Sequence, residues 1–93
     1  MEAPAPEVSV VVAVYNGAAH IQACLEALRA QSLPADRYEI IVVDDGSTDE
    51  TPARCQSVSA IQYFRQDHAG PSSARTAGVR AATAPIVAFT DAD

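Results

Sequence analysis

Short apolar runs rich in β-branched residues recur along the chain, at Val8–Val14, Glu39–Val43, Ile61–Phe64 and Ile86–Phe89. Their apolar character is continuous rather than alternating, the pattern of strands covered on both faces. Helix-like stretches separate them. This alternation predicts an α/β chain, a Rossmann-like doubly wound and mainly parallel sheet in the order βαβαβαβ.

Between the first two runs, Ile21, Leu25 and Leu28 recur at helical spacing with Cys24 beside them, so a helix from about Ala18 to Gln31 has one apolar face. Ser32-Leu33-Pro34 ends it. For the second helix, Ser47-x-x-Glu50 resembles a capping box but would put Pro52 beyond the first turn. Asp49 as N-cap, with Pro52 at N3, is preferred. Gly70-Pro71 opens a third helix with Pro71 at N1, running to about Ala82. In it, Ala74, Ala77, Gly78 and Ala81 permit close packing on the sheet.

Composition narrows the class. With 93 residues, 48% of them hydrophobic, the chain is one globular unit at most. Residues 1–7, rich in Ala and Pro, read as a flexible tail, and residues 8–93 as the folded unit. The net charge is −6, there is no lysine, and the six arginines form no run, which argues against nucleic acid as a partner. Cys24 and Cys55 fit neither a disulfide framework nor a zinc site, so a reduced, cytoplasmic location is the default expectation. The first residues lack the pattern of a signal peptide, and no apolar run reaches membrane-spanning length. A span following Asp93, and membrane association of a longer protein, are left open.

In an open parallel sheet, ligands bind beyond the carboxyl ends of the strands. Polar residues collect there: Tyr15-Asn16-Gly17 after the first strand, Asp44-Asp45-Gly46-Ser47 after the second, Thr90-Asp91-Ala92-Asp93 after the fourth. One member of the Asp44-Asp45 pair can cap its turn, or a carboxylate there can accept hydrogen bonds from a ligand. Asp91 and Asp93, two residues apart in extended chain, project to one side and suit a hard divalent cation. Arg75 can serve as a bidentate donor to a diphosphate or lie on the surface. Tyr15 can present its ring to a base or pack under the loop. His68 and His20 read as solvated loop and exposed helix residues. There is no G-x-G-x-x-G after the first strand and no P-loop motif, so neutralising a diphosphate would rely on metal.

Val8 to Asn16, Tyr38 to Asp49 with its V-D-D-G-S-T-D, Gly70 to Gly78, and Asp91-Ala92-Asp93 together resemble the N-terminal half of a family-2 glycosyltransferase. The match covers almost the whole chain after Glu7, and the combination of motifs is far more specific than either acidic motif alone. The resemblance implies the N-terminal half of a GT-A fold and a nucleotide-diphosphate sugar donor, commonly a uridine one, used with Mn2+ or Mg2+. Carried over, Asp45 would hydrogen-bond the uracil and Ala13 and Tyr15 would line the base pocket. Asp44, counted with the nucleotide-binding set, would support the same loop. Asp91 would contact the ribose or sugar, and Asp93 would bind the metal. The family often has A-R-N in the third helix; here Ala74-Arg75-Thr76 leaves the asparagine's role vacant or altered.

The implied chemistry is metal-dependent inverting transfer to an acceptor hydroxyl. The catalytic base and acceptor site of the family lie C-terminal of the D-x-D, so no catalytic residue is expected in this chain and the chain alone is expected to be inactive. A sugar-phosphate nucleotidylyltransferase is an alternative, weakened because Asn16-Gly17-Ala18-Ala19 carries no cation. A non-catalytic nucleotide-binding fragment is another. The fourth strand is expected beside the first with an open edge, a route to self-association.

Overall fold

The computed structural model describes residues 5–31 and 34–91. Its elements are β1 (Val8–Val14), α1 (Ile21–Arg29), a short 3-10 turn (Ala35–Arg37), β2 (Tyr38–Asp44), α2 (Thr51–Gln56), β3 (Gln62–Arg65), α3 (Pro71–Ala81) and β4 (Ile86–Asp91). The strands form one all-parallel sheet in the order β3-β2-β1-β4, which is the predicted α/β architecture with β4 beside β1.

Both faces of the central strands are covered, as the continuous apolar runs require. Val10, Val12, Val14, Ile40 and Val42 point to one side and pack with Ile21 and Leu25 of α1 and Cys55 of α2. Ile41 and Val43 point to the other and meet Ala74 of α3, with Ala13, Ala77 and Ala81 around them. Small residues let α3 approach closely: a Cβ on Gly78 would lie 2.3 Å from Val11 Cγ1.

At the amino ends of the strands, Glu39 ties three segments together. It accepts from Ser9 Oγ, from Gln62 Nε2 at 2.8 Å, and from Thr83 N and Oγ1 at 2.8 and 3.0 Å. Burial pushes its carboxyl up, but these bonds outweigh it and hold Glu39 below the ordinary carboxylate range.

Two local expectations change. Helix α1 begins at Ile21 rather than Ala18, because the amides of His20 and Ile21 both bond to the Gly17 carbonyl and hold residues 18–20 in a turn. Helix α2 takes Glu50, not Asp49, as N-cap, with Pro52 in the first turn where its missing N–H costs nothing. Asp49 instead accepts from the amide of Thr51 at 2.9 Å. Of the expected tail, residues 1–4 lie outside the described residues, while the Glu7 amide bonds to the Arg37 carbonyl at 2.8 Å. Helix α3 starts at Pro71 with Gly70 as N-cap, whose φ of 103° favours glycine.

Candidate functional site

The loops leaving β1 and β2 are laced to each other. Asn16 N donates to Ser47 Oγ (2.8 Å), Gly17 N to Thr51 Oγ1 (2.9 Å), and Thr48 N to Asn16 Oδ1 (2.8 Å). Asn16 has a φ of 50°, a left-handed conformation that asparagine tolerates. These bonds make a fixed rim for the cleft behind it.

That cleft, about 320 Å³, is lined by Ala13, Val14, Tyr15, Asp45, His68, Pro71, Ala74 and Arg75. It opens at the carboxyl ends of β1 and β2, on the side covered by α3. Of the predicted residues, the structure brings Ala13, Tyr15, Asp45 and Arg75 together. Asp91 ends β4 with its backbone in register beside Ala13. Asp93 lies outside the described residues.

Asp44 takes the supporting place that the resemblance implies for it. It does not line the cleft, and its side chain is wholly buried. Its carboxylate accepts from Ser47 N (2.8 Å), Tyr63 Oη (2.6 Å) and Arg65 Nη1 (3.2 Å). Burial and the bond to Asp44 push the Tyr63 hydroxyl up to about 12. Asp44 therefore braces the loop against β3. Strand parity explains the split, since Asp44 continues the Ile40–Val42 side and Asp45 the Ile41–Val43 side.

Asp45 faces the cleft, only 2% exposed. Its Oδ1 accepts from Gln66 Nε2 and Ala69 N, both at 2.8 Å, and its Oδ2 from Gly70 N at 2.9 Å. His68 Nδ1 adds a contact to Oδ2 at 2.9 Å. Burial pushes the Asp45 carboxyl up, but the bonds from Gln66, Ala69 and Gly70 and the proximity of His68 hold it below the ordinary range. Gly46, with a φ of 82°, passes under this loop so closely that a Cβ would come within 2.8 Å of His68 N.

Tyr15 is exposed, and its ring stacks on His68 with centroids 4.0 Å apart. His68, which the sequence presents as a solvated loop residue, lines the cleft. The available signal was its place in the loop that follows β3, because that loop also leaves the carboxyl end of the sheet. Pro71 and Ala74 complete the wall from α3. His20, in contrast, is exposed at the start of α1, as expected.

An aromatic ring, a buried acceptor and an arginine around one cleft suit a nucleotide, with the ring for a base, the acceptor for its N–H and the arginine for phosphate. Among the described residues no cluster of three or more His, Cys, Asp or Glu side chains could hold a metal ion. No helix among them is long and apolar enough to cross a membrane.

Residues 9–93 match the family described as Glycosyl transferase family 2. The chain belongs to this family. Among family relatives, glycosyltransferase AglE of Haloferax volcanii is 36% identical over 98 residues, an alignment spanning 100% of this chain and 32% of the relative. The structure of S. aureus TarS 1-349 in complex with UDP superposes with a TM-score of 0.88 at 29% identity, covering 94% of this chain and 27% of TarS 1-349. The mannosyltransferase PcManGT of Pyrobaculum calidifontis, in complex with GDP-Man and Mn2+, gives 0.81 at 33% identity over 97% of this chain and 28% of its own. The sheet is thus part of the GT-A fold, and the chain spans about a third or less of each of these proteins.

Proposed function

We propose that this chain is the donor-nucleotide part of a glycosyltransferase that moves a sugar from a nucleotide-diphosphate donor, UDP-linked, to an acceptor hydroxyl with inversion. The observation that carries it is the grouping of Tyr15, Asp45 and Arg75 around one cleft at the carboxyl ends of the strands. The solved structures of TarS with UDP and PcManGT with GDP-Man and Mn2+ support a nucleotide-sugar donor. Uridine is favoured because a buried carboxylate at the cleft wall suits an imide N–H as donor.

In this proposal Tyr15 and Ala13 hold the base, Asp45 accepts from it and Arg75 meets the diphosphate. Asp91 addresses the ribose or sugar, from the end of β4 beside Ala13. Asp93, two positions on, supplies a carboxylate for Mn2+ or Mg2+; oxygen donors of this kind fit a hard cation. When bound, the metal offsets charge on the departing diphosphate. The acceptor hydroxyl attacks the anomeric carbon opposite the leaving group, its proton passing to a base supplied by residues outside this chain. The chain alone therefore binds donor and transfers no sugar.

Calorimetric titration with UDP, ADP and UTP, with and without Mn2+, tests this. UDP should bind more tightly than ADP, and Mn2+ should strengthen it in the wild type and not in Asp93→Ala. A preference for the triphosphate would instead favour nucleotidylyl transfer. No nucleotide binding at all would contradict the proposal.

A further inference from the structure

The contacts His68 makes are those a pyrimidine base would need. Its imidazole is a planar nitrogen heterocycle stacked on Tyr15 at 4.0 Å, with an interplanar angle of 26°. Its Nδ1 lies 2.9 Å from Asp45 Oδ2 and 3.1 Å from the Asp45 carbonyl oxygen. Both partners are acceptors, because hydrogen bonds keep the Asp45 carboxyl low and ionised, so the shared proton sits on Nδ1. A ring face and an N–H donated to a buried carboxylate are what an imide base would offer the same two residues.

The two occupants compete. Asp45 has two oxygens and four donors, with Gln66 and Ala69 on Oδ1 and Gly70 and His68 on Oδ2. Its acceptor capacity is filled from within the protein. A base N–H can reach the carboxylate only where one of these donors leaves. The amides of Ala69 and Gly70 are backbone and hold the loop. Gln66 lines a different face, beside Ser73 and Thr76, and is absent from the cleft wall. His68 alone of the four both lines the cleft and has a largely exposed side chain, 56% accessible. Its imidazole can rotate outward while the Ala69 and Gly70 amides keep the loop in place.

We infer that the His68 imidazole is a built-in occupant of the base position, displaced when a nucleotide binds, so that His68 sets the affinity of the site. The inference rests on the nucleotide-binding function proposed above. It makes His68 a competitor of the base and not one of its contacts, which fixes the sign of the mutational effect.

The test is calorimetric titration of wild type and His68→Ala with UDP and, as a control that lacks a base, with inorganic pyrophosphate. Removing the occupant should tighten UDP by about tenfold, the scale of one aromatic stack and one hydrogen bond, and leave pyrophosphate unchanged. A second measurement uses the unaltered chain. The His68 ring protons should lose the upfield ring-current shift from Tyr15 as UDP saturates the site, and this decides the matter alone should the variant fail to fold. Equal or weaker UDP binding by the variant, or a Tyr15–His68 stack that persists at saturation, would overturn the inference and leave nucleotide binding intact. If neither protein binds UDP, the inference and the proposed function fall together.

Discussion

Gly78→Ala pits two effects of opposite sign against each other, and the structure decides between them. An alanine in a helix interior is favoured over glycine by about 1 kcal/mol. Against this, the new Cβ would lie 2.3 Å from Val11 Cγ1, 3.1 Å from Cγ2 and 3.3 Å from Cβ. Carbon atoms pack at about 3.5–4.0 Å, so the first contact is more than an ångström too short. Val11 is wholly buried and stiff about χ1, and it cannot swing aside. Helix α3 must instead lift from β1, opening the packing of Ala74 and Ala81 as well. Overpacking of this kind costs about 1–3 kcal/mol, and the severity of the overlap places it at the upper end. The net expectation is a loss of about 2 kcal/mol, which lowers Tm by about 10 °C for a domain of this size. Urea denaturation with an unchanged slope would measure it. Pairing Gly78→Ala with Val11→Ala should make the double variant more stable than the two single losses predict. A Gly78→Ala chain as stable as wild type, or more so, would show that helix propensity wins and that the close approach of α3 is not a constraint.

Acid should destabilise the chain through Asp45 and Glu39, whose carboxyls are held below the ordinary range in the fold. Their stabilisation is present above about pH 4, the unfolded value, and is lost as pH falls through the folded values. Asp45→Asn should therefore be less stable at neutral pH and show a flatter loss as pH falls below about 4, and an unchanged slope would contradict the linkage. Self-association should proceed through β4, which forms one edge of the sheet with Ile86 and Phe89 more than half exposed. Phe89→Lys should lower the mass seen by light scattering, and a wild-type chain that stays monomeric at high concentration would refute this.

The strands were legible because their chemistry is local. Both faces of β1 and β2 are buried, so Val10–Val14 and Ile40–Val43 carry unbroken apolar residues, and the predicted bounds of β1 agree with the structure. Helix α3 was legible for a related reason, its small residues and Gly70-Pro71 start being written in adjacent positions. Helix starts set by distant partners were not. Thr51 opens α2 while bonded to Gly17, a partner 34 positions away, and nothing near Ser47 or Asp49 in the sequence announces it. In the site, the acidic strand end was visible but the division of labour within it was not. Asp44 turns inward because Tyr63 and Arg65 of β3 wait there, and only strand parity hints at that. His68 read as a solvated loop residue because its value lies in contacts to Tyr15 and Asp45, which come from two other loops.

The central claim is that the cleft between the ends of β1, β2 and the start of α3 receives the donor nucleotide. Mapping backbone amide shifts of the isotope-labelled chain during titration with UDP and Mn2+ tests it most directly. The largest saturable changes should fall on Ala13, Tyr15, Asp45, His68, Ala74 and Arg75, with the Glu39 knot at the opposite end of the sheet unmoved. Changes centred on the α1–α2 face, or none at millimolar UDP, would contradict it.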